Sequence, residues 1–188
     1  PRLVVHYAAT KFKGDEEVKE IVERFQNNTV DFHQTVADMA NISRTQAKTI
    51  NLGLFYGMGK AKLPFVKDLM DAISRDGSAF GYIKTFGGRK CRFDKWEIAE
   101  WNNGNFTPPM SKADAEAAYF EKYPKATQAN IRRAMTYKAL NKLIQGSAAD
   151  MTKQSMLDLY REGIVPHIQI HDELDISVES DSQAKKII

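Results

Sequence analysis

Arg44, Lys48, Leu52 and Tyr56 recur at four-residue intervals. On an α-helix each such step advances about 40° beyond a full turn. The four side chains therefore form one slowly wrapping stripe. Ser43 and Gln46 supply the two halves of a capping box, so the helix has a firm start just before the stripe begins. Two cations then lie beside the helix N-terminus, where free N–H groups and the dipole already favour anions. Arginine offers a two-pronged donor and lysine a point charge, a pair suited to adjacent phosphates. An aliphatic and then an aromatic side chain follow, matching the sugar and base of a molecule whose phosphates lie at the helix start. On its own, R-x-x-x-K also describes an amphipathic surface helix with two solvated cations.

A second constellation is His171-Asp172-Glu173, set between the apolar arms of Val165–Val178. Ile168 and Ile170 share one face of the first arm, and Leu174, Ile176 and Val178 share a face of the return arm. A tight turn between them projects adjacent carboxylates, the hard oxygen ligands that Mg²⁺ prefers. Taken alone, the tripeptide also fits a solvated polar turn. Asn141 and Gln145 lie one helical turn apart on a single face, with Arg133 and Lys138 a little upstream.

The elements that must position these residues can be read from periodicity. Residues 15–26 carry apolar side chains at 18, 21, 22 and 25, a helical stripe with acids in its first turn. Asp31 is placed to cap a short helix after it. The capped helix at Ser43 is ended by Gly57 and Gly59. Residues 64–76 read as a helix, Gly81–Phe93 as a hairpin, and Trp101–Pro109 as a loop. Residues 111–121 and 126–160 read as helices, the second open to a break near Gly146. Val165–Val178 reads as strand–turn–strand. Helices with a small antiparallel sheet make the expected fold class α+β.

Charge is unevenly spread. Residues 1–42 sum to −2, residues 43–95 to +7, and residues 96–188 to −2, within a chain of net charge +3. Residues 124–149 contain five cations and no acid. Basic zones before an acid-rich end suit a protein that lays a polyanion along one surface, although a solvated basic face has the same composition. No apolar run reaches membrane-spanning length, so a cytoplasmic protein with no membrane partner is expected. Cys91 is the only cysteine, which leaves it no disulfide or zinc partner within the chain.

The stretch Arg44-Thr-Gln-Ala-Lys48-Thr-Ile-Asn-Leu-Gly-Leu-Phe-Tyr56-Gly57 resembles the fingers motif of family A DNA polymerases, the DNA polymerase I type. The resemblance implies that Arg44 and Lys48 bind the phosphates of an incoming dNTP and that Tyr56 stacks near the template base. Asp31-Phe-His33 resembles the family's D-x-H, whose histidine also meets the triphosphate. His171-Asp172-Glu173 resembles the family's second catalytic motif and follows the first in the family's order. This implies a two-metal mechanism with two Mg²⁺ ions. One lowers the pKa of the primer 3′-hydroxyl and the other stabilises the leaving pyrophosphate. Asp172 is then a metal ligand, Glu173 its support, and His171 a neighbour of the primer end. Asn141-Lys-Leu-Ile-Gln145-Gly-Ser-Ala-Ala-Asp150 resembles the family helix that touches the duplex minor groove. There Asn141 and Gln145 would sense pairing geometry without reading sequence, and Arg133 and Lys138 would add phosphate contacts. Gly81–Arg89 resembles a family loop near the duplex.

The implied division is a palm–fingers connection at 1–30, mostly helical fingers at 31–80 and a C-terminal palm at 81–188 whose small antiparallel sheet carries the catalytic hairpin. Phage- or prophage-type members are the expected relatives, and primer–template DNA and dNTP the expected partners. No oligomer is implied. Four departures accompany the resemblance. The family's first catalytic motif, D-x-S-x-x-E, is expected just before Pro1, and further palm after the hairpin. Leu63-Pro64 joins segments that the family separates by a helical excursion. Leu52 stands where Phe or Tyr is usual, and Tyr137 where Arg is frequent. The chain alone is thus expected to be an inactive piece of an active polymerase. A non-catalytic DNA-binding remnant is the alternative, and a metal-dependent nuclease leaves Arg44, Lys48 and Tyr56 without a role.

Overall fold

The computed structural model describes residues 2–27, 31, 33–34, 37, 41–55, 64–99, 108–171 and 173–187. The first helix, α1 (Arg2–Lys11), buries Val4, Val5 and Ala8, spaced so that they share one face. Helix α2 (Glu16–Gln26) packs against it. Asp15 Oδ1 accepts from Val18 N at 3.3 Å and caps α2, which agrees with the expected helix at 15–26. Helix α3 (Arg44–Phe55) follows. Its expected end at Gly57 and Gly59 lies outside the described residues.

Helix α4 (Pro64–Phe80) runs a turn further than the stripe at 64–76 indicates. It ends where Gly81 enters the left-handed region at φ 74° and donates its N–H to Gly77 O at 3.0 Å. Strands β1 (Tyr82–Lys84) and β2 (Lys90–Arg92) form the expected hairpin, with Ile83 opposite Cys91. Its turn is closed by Gly88 N–H donating to Thr85 O at 2.9 Å.

The expected helix over 126–160 needs correction. Strand β4 (Ile131–Arg133) occupies its start and pairs antiparallel with β3 (Trp96–Ile98). Every facing pair is favourable. Ile98 meets Ile131, Glu97 accepts from Arg132 Nε at 2.7 Å, and the Arg133 guanidinium lies 4.7 Å from the Trp96 ring centre. These cross-strand contacts outweigh local helix propensity. Met135 then turns the chain at φ 61°, and a 3₁₀ turn over Thr136–Lys138 leads into helix α6 (Ala139–Arg161). Between the two strands lies α5 (Lys112–Lys122), capped by Ser111, whose hydroxyl accepts from Asp114 N.

Helix α6 passes Gly146 without a break. That glycine marks a close approach: a Cβ there would stand 2.7 Å from Thr85 Cγ2. Strands β5 (Ile168–Ile170) and β6 (Glu173–Asp175) make the last hairpin, and α7 (Asp181–Ile187), unanticipated from sequence, follows it. The structure is α+β, with helices dominant and, among the described residues, three two-stranded antiparallel sheets. One core joins the elements, with Val4 from α1, Val18 from α2, Ala47 from α3, Leu69 and Ile73 from α4, Phe93 beyond β2, and Leu140 and Leu143 from α6. Among the described residues no helix is long and apolar enough to cross a membrane.

Candidate active site

Helix α3 presents two faces. Ala47 and Asn51 are buried, while Arg44, Lys48 and Leu52 are exposed along the expected stripe. The capping box is formed in full. Gln46 N–H donates to Ser43 Oγ at 3.2 Å, and Ser43 N–H donates to Gln46 Oε1 at 3.0 Å. Tyr56, the last member of the stripe, lies outside the described residues.

Asp31 gathers the cationic end. Its Oδ1 accepts from the backbone of His33 at 2.9 Å and of Gln34 at 3.2 Å, as an N-cap does. Its Oδ2 accepts from Arg44 Nε at 2.6 Å. The Arg44 hydrogen bond, followed by the Gln34 amide, holds the Asp31 carboxyl below the ordinary carboxylate range. His33 is thereby brought beside α3, where its Nδ1 is 3.1 Å from Nδ2 of Asn51, about two turns into the helix. Burial pushes the His33 pKa down. The Asp31 charge opposes this, and the Arg44 and Lys48 charges reinforce it. Lys48 has no carboxylate partner among the described residues.

The carboxylate hairpin is shorter than its apolar arms indicate. Ile170 faces Glu173, so His171 and position 172 lie between the paired strands. His171 adopts φ 53°, the left-handed geometry that tight hairpin turns demand, and its carbonyl accepts from Gln169 Nε2 at 2.9 Å. Facing residues project to the same side of a two-stranded sheet. Ile168 and Ile170 therefore share a side with Asp175 and Glu173, and Leu174 shares the other with Gln169. The two isoleucines are more than half exposed. Asp172 lies outside the described residues, and Glu173 is exposed at the first position of β6. Among the described residues no three His, Cys, Asp or Glu side chains gather as a metal site.

On α6, Asn141 is half-buried and Gln145 exposed, and Lys138 stands exposed at the helix start. Helix α3 packs against α6. Arg133 is engaged within the fold. Its Nη1 donates to Phe93 O at 2.8 Å and its Nε to Ser78 O at 3.2 Å, with the guanidinium over Trp96.

Sequence reasoning passed over the side chains that hold the 85–89 turn onto α6. Ser147, fully buried, accepts from Phe86 N at 2.9 Å and shares a 2.6 Å hydrogen bond with Tyr7 Oη. Asp150 Oδ2 accepts from Gly87 N at 3.0 Å, its Oδ1 accepts from Arg89 Nε, and Arg89 Nη2 reaches Gly146 O at 2.7 Å. Burial raises the Asp150 pKa, but hydrogen bonds from Thr85, Gly87 and Arg89 overcome it and leave the carboxyl below its ordinary value. The only sequence signal was Ser147 and Asp150 at helical spacing beside a glycine. Asn51 gave no signal beyond its place on the side of α3 away from the stripe.

Viral and bacterial proteins are among those to which the chain is similar. It is 29% identical to a DNA-directed DNA polymerase of Pseudomonas phage M6, with 98% of this chain and 32% of that protein aligned. That alignment extends over 246 residues, more than the 188 of this chain, so the phage protein contains stretches without a counterpart here. It is 28% identical to the DNA polymerase of Mycobacterium phage L5, over 89% of this chain and 26% of that one. It is 27% identical to DNA polymerase I of Caldicellulosiruptor bescii, over 92% and 21%. The chain thus spans a third or less of the length of these curated relatives. A solved structure of the POL domain of Pol1 from M. smegmatis, in complex with DNA primer-template and dNTP, aligns with 98% of this chain and 30% of its own at 20% identity and a TM-score of 0.40. The sequence model of DNA polymerase family A matches residues 11–187, and the chain belongs to that family.

Proposed function

We propose that this chain is the nucleotide-binding and carboxylate-bearing part of a protein that performs template-directed DNA synthesis, transferring a nucleotidyl group from dNTP to a primer 3′-hydroxyl. The observation that carries this reading is the gathering of His33 and Arg44 beside the first turns of α3 by Asp31, with Lys48 exposed one turn on and its charge felt at the His33 ring. Membership of a family that includes a DNA-directed DNA polymerase supports it.

In this reading the α3 N-terminus receives the triphosphate. Arg44 and Lys48 contact its oxygens, the backbone N–H groups add the dipole, and His33 donates from the side. Leu52, one turn beyond Lys48, packs against the sugar, and Tyr56 stacks near the template base. Leucine offers the sugar less flat surface than an aromatic ring, so discrimination at the 2′ position rests more on the neighbours of Leu52. Lys138, Asn141 and Gln145 line the duplex side along α6, and His171 lies by the primer end. Arg133 serves that surface indirectly, by holding β4 and α4 in place.

Asp172 and Glu173 would hold Mg²⁺, because their oxygens are the donors a hard cation selects. Two adjacent carboxylates are fewer ligands than such an ion takes, and no third ligand is grouped with Glu173 among the described residues. Bound metal supplies neutralisation of the charge that develops on the phosphates. Residues 1–30 then connect palm and fingers, 31–80 form the fingers, and 81–188 belong to the palm.

Primer extension by the full-length gene product, run beside this chain, tests the reading. Incorporation by the former is expected, and Asp172→Ala in it is expected to abolish incorporation while primer–template affinity stays within about threefold. Retained synthesis in that variant would sink the metal-ligand assignment. DNA binding by the full-length product with no incorporation under any condition would identify a non-catalytic DNA-binding remnant.

A further inference from the structure

Asn51 has no part in the stripe proposed to face the nucleotide, yet its side chain meets the His33 ring. Its side chain is 1% exposed, on the buried face of α3, and its Nδ2 is 3.1 Å from His33 Nδ1. A carboxamide nitrogen donates and cannot accept. His33 Nδ1 must therefore be the acceptor, which leaves the ring proton on Nε2. We propose that Asn51 is a positioning residue that fixes His33 as its Nε2–H tautomer, so that the ring offers a donor to a phosphate oxygen held by Arg44 and Lys48. The last clause rests on the nucleotide reading above, whereas the tautomer lock does not.

The reason a lock matters is chemical. Burial, with the Arg44 and Lys48 charges beside the ring and the Asp31 charge opposing, lowers the His33 pKa and so favours the neutral imidazole. A neutral imidazole has a single N–H. If that proton sat on Nδ1, Nε2 would turn a lone pair toward an anion and repel it. A doubly protonated ring would need no lock, but it would form beside two existing cations. The neighbouring backbone is held as well, since His33 N–H donates to Asp31 Oδ1. Asp31 thus holds the His33 main chain, while Asn51 acts on the ring and its tautomer. Asn51 Oδ1 is buried and has no hydrogen-bond partner among the described residues. A rotated amide would place that oxygen against Nδ1 and move the ring proton there, the opposite of what a phosphate needs.

The test is nitrogen-15 NMR of this chain with labelled histidine, comparing wild type with Asn51→Asp, which keeps the shape but can only accept. At neutral pH the wild type is expected to show a lone-pair nitrogen at Nδ1 and a protonated Nε2 for His33. In Asn51→Asp the proton is expected at Nδ1, or at both nitrogens. An Nδ1–H wild type, a freely averaging pair of tautomers, or spectra identical in the two proteins would overturn the proposal. Addition of dNTP with Mg²⁺ separates the two claims. A perturbed Nε2 resonance supports the phosphate contact. A locked Nε2–H that saturating nucleotide leaves unmoved overturns the phosphate contact alone and leaves the Asn51 lock standing.

Discussion

At the scale of single residues, Asp31 spends one oxygen on the backbone of the His33 turn and the other on Arg44. On the proposed reading, an incoming triphosphate would meet Arg44 already occupied, whereas Lys48 has no carboxylate to leave among the described residues. In the full-length gene product, on the proposed reading, Lys48→Ala would remove a charge-assisted contact of roughly 1.5–3 kcal/mol, or about 10- to 150-fold in apparent nucleotide affinity. Steady-state kinetics with varied dNTP should show that loss while DNA affinity stays nearly constant. Equal losses in both would move Lys48 to the DNA surface. Acid provides a second check at Asp150. Its folded pKa lies below the ordinary carboxylate value, so the unfolded chain binds the proton more readily. The stabilisation is present above the ordinary value and is lost as pH falls through the folded one. Asp150→Asn should flatten that part of the stability–pH curve measured by urea unfolding, and an unchanged slope would remove Asp150 from the acid response.

At the scale of elements, the sequence was legible where a local rule sufficed. The caps at Asp15, Asp31 and Ser43, the hairpin around Gly88 and the stripe of α3 all depend on neighbours within a few positions. It misled at β4, where the decisive partners Trp96, Glu97 and Ile98 are more than thirty residues away. Arg133 shows the cost for the site. As a cation in a basic stretch it reads as a phosphate ligand, but its donors face Phe93 O and Ser78 O. Asn51 and Ser147 were silent for the related reason that a buried polar side chain is defined by a partner far along the chain. Gly146 carries the sharpest test at this scale. Alanine in an exposed helix interior improves on glycine by about 1 kcal/mol. Here its methyl would stand 2.7 Å from Thr85 Cγ2, so Gly146→Ala should instead cost about 1–3 kcal/mol. Adding Thr85→Ser, which deletes that methyl and keeps the hydroxyl, should recover most of the loss in thermal melts. Failure to recover would place the strain elsewhere.

At the scale of the whole molecule, the net charge of +3 hides a central segment of +7. A second basic stretch, 124–149, holds Arg133 and Lys138, and any duplex binding along these zones would weaken with salt, because each phosphate neutralised releases counterions. Titrations of the chain with primer–template across salt concentrations should therefore separate two cations that sequence alone treats alike. Lys138→Ala is expected to lower the slope of log K against log salt by about 1. Arg133→Ala should leave the slope nearly intact and lower the melting temperature, since its contacts are internal. The reverse pattern would exchange their roles. The turn at 85–89 also has a consequence for how the molecule opens. The amide protons of Phe86 and Gly87 are held by the side chains of Ser147 and Asp150, not by a strand. Neither can exchange with solvent deuterium until its bond to helix α6 is released. Two adjacent amides thus act as a clock on one joint, slow while turn and helix stay together and fast from the moment they part, even if both elements remain folded.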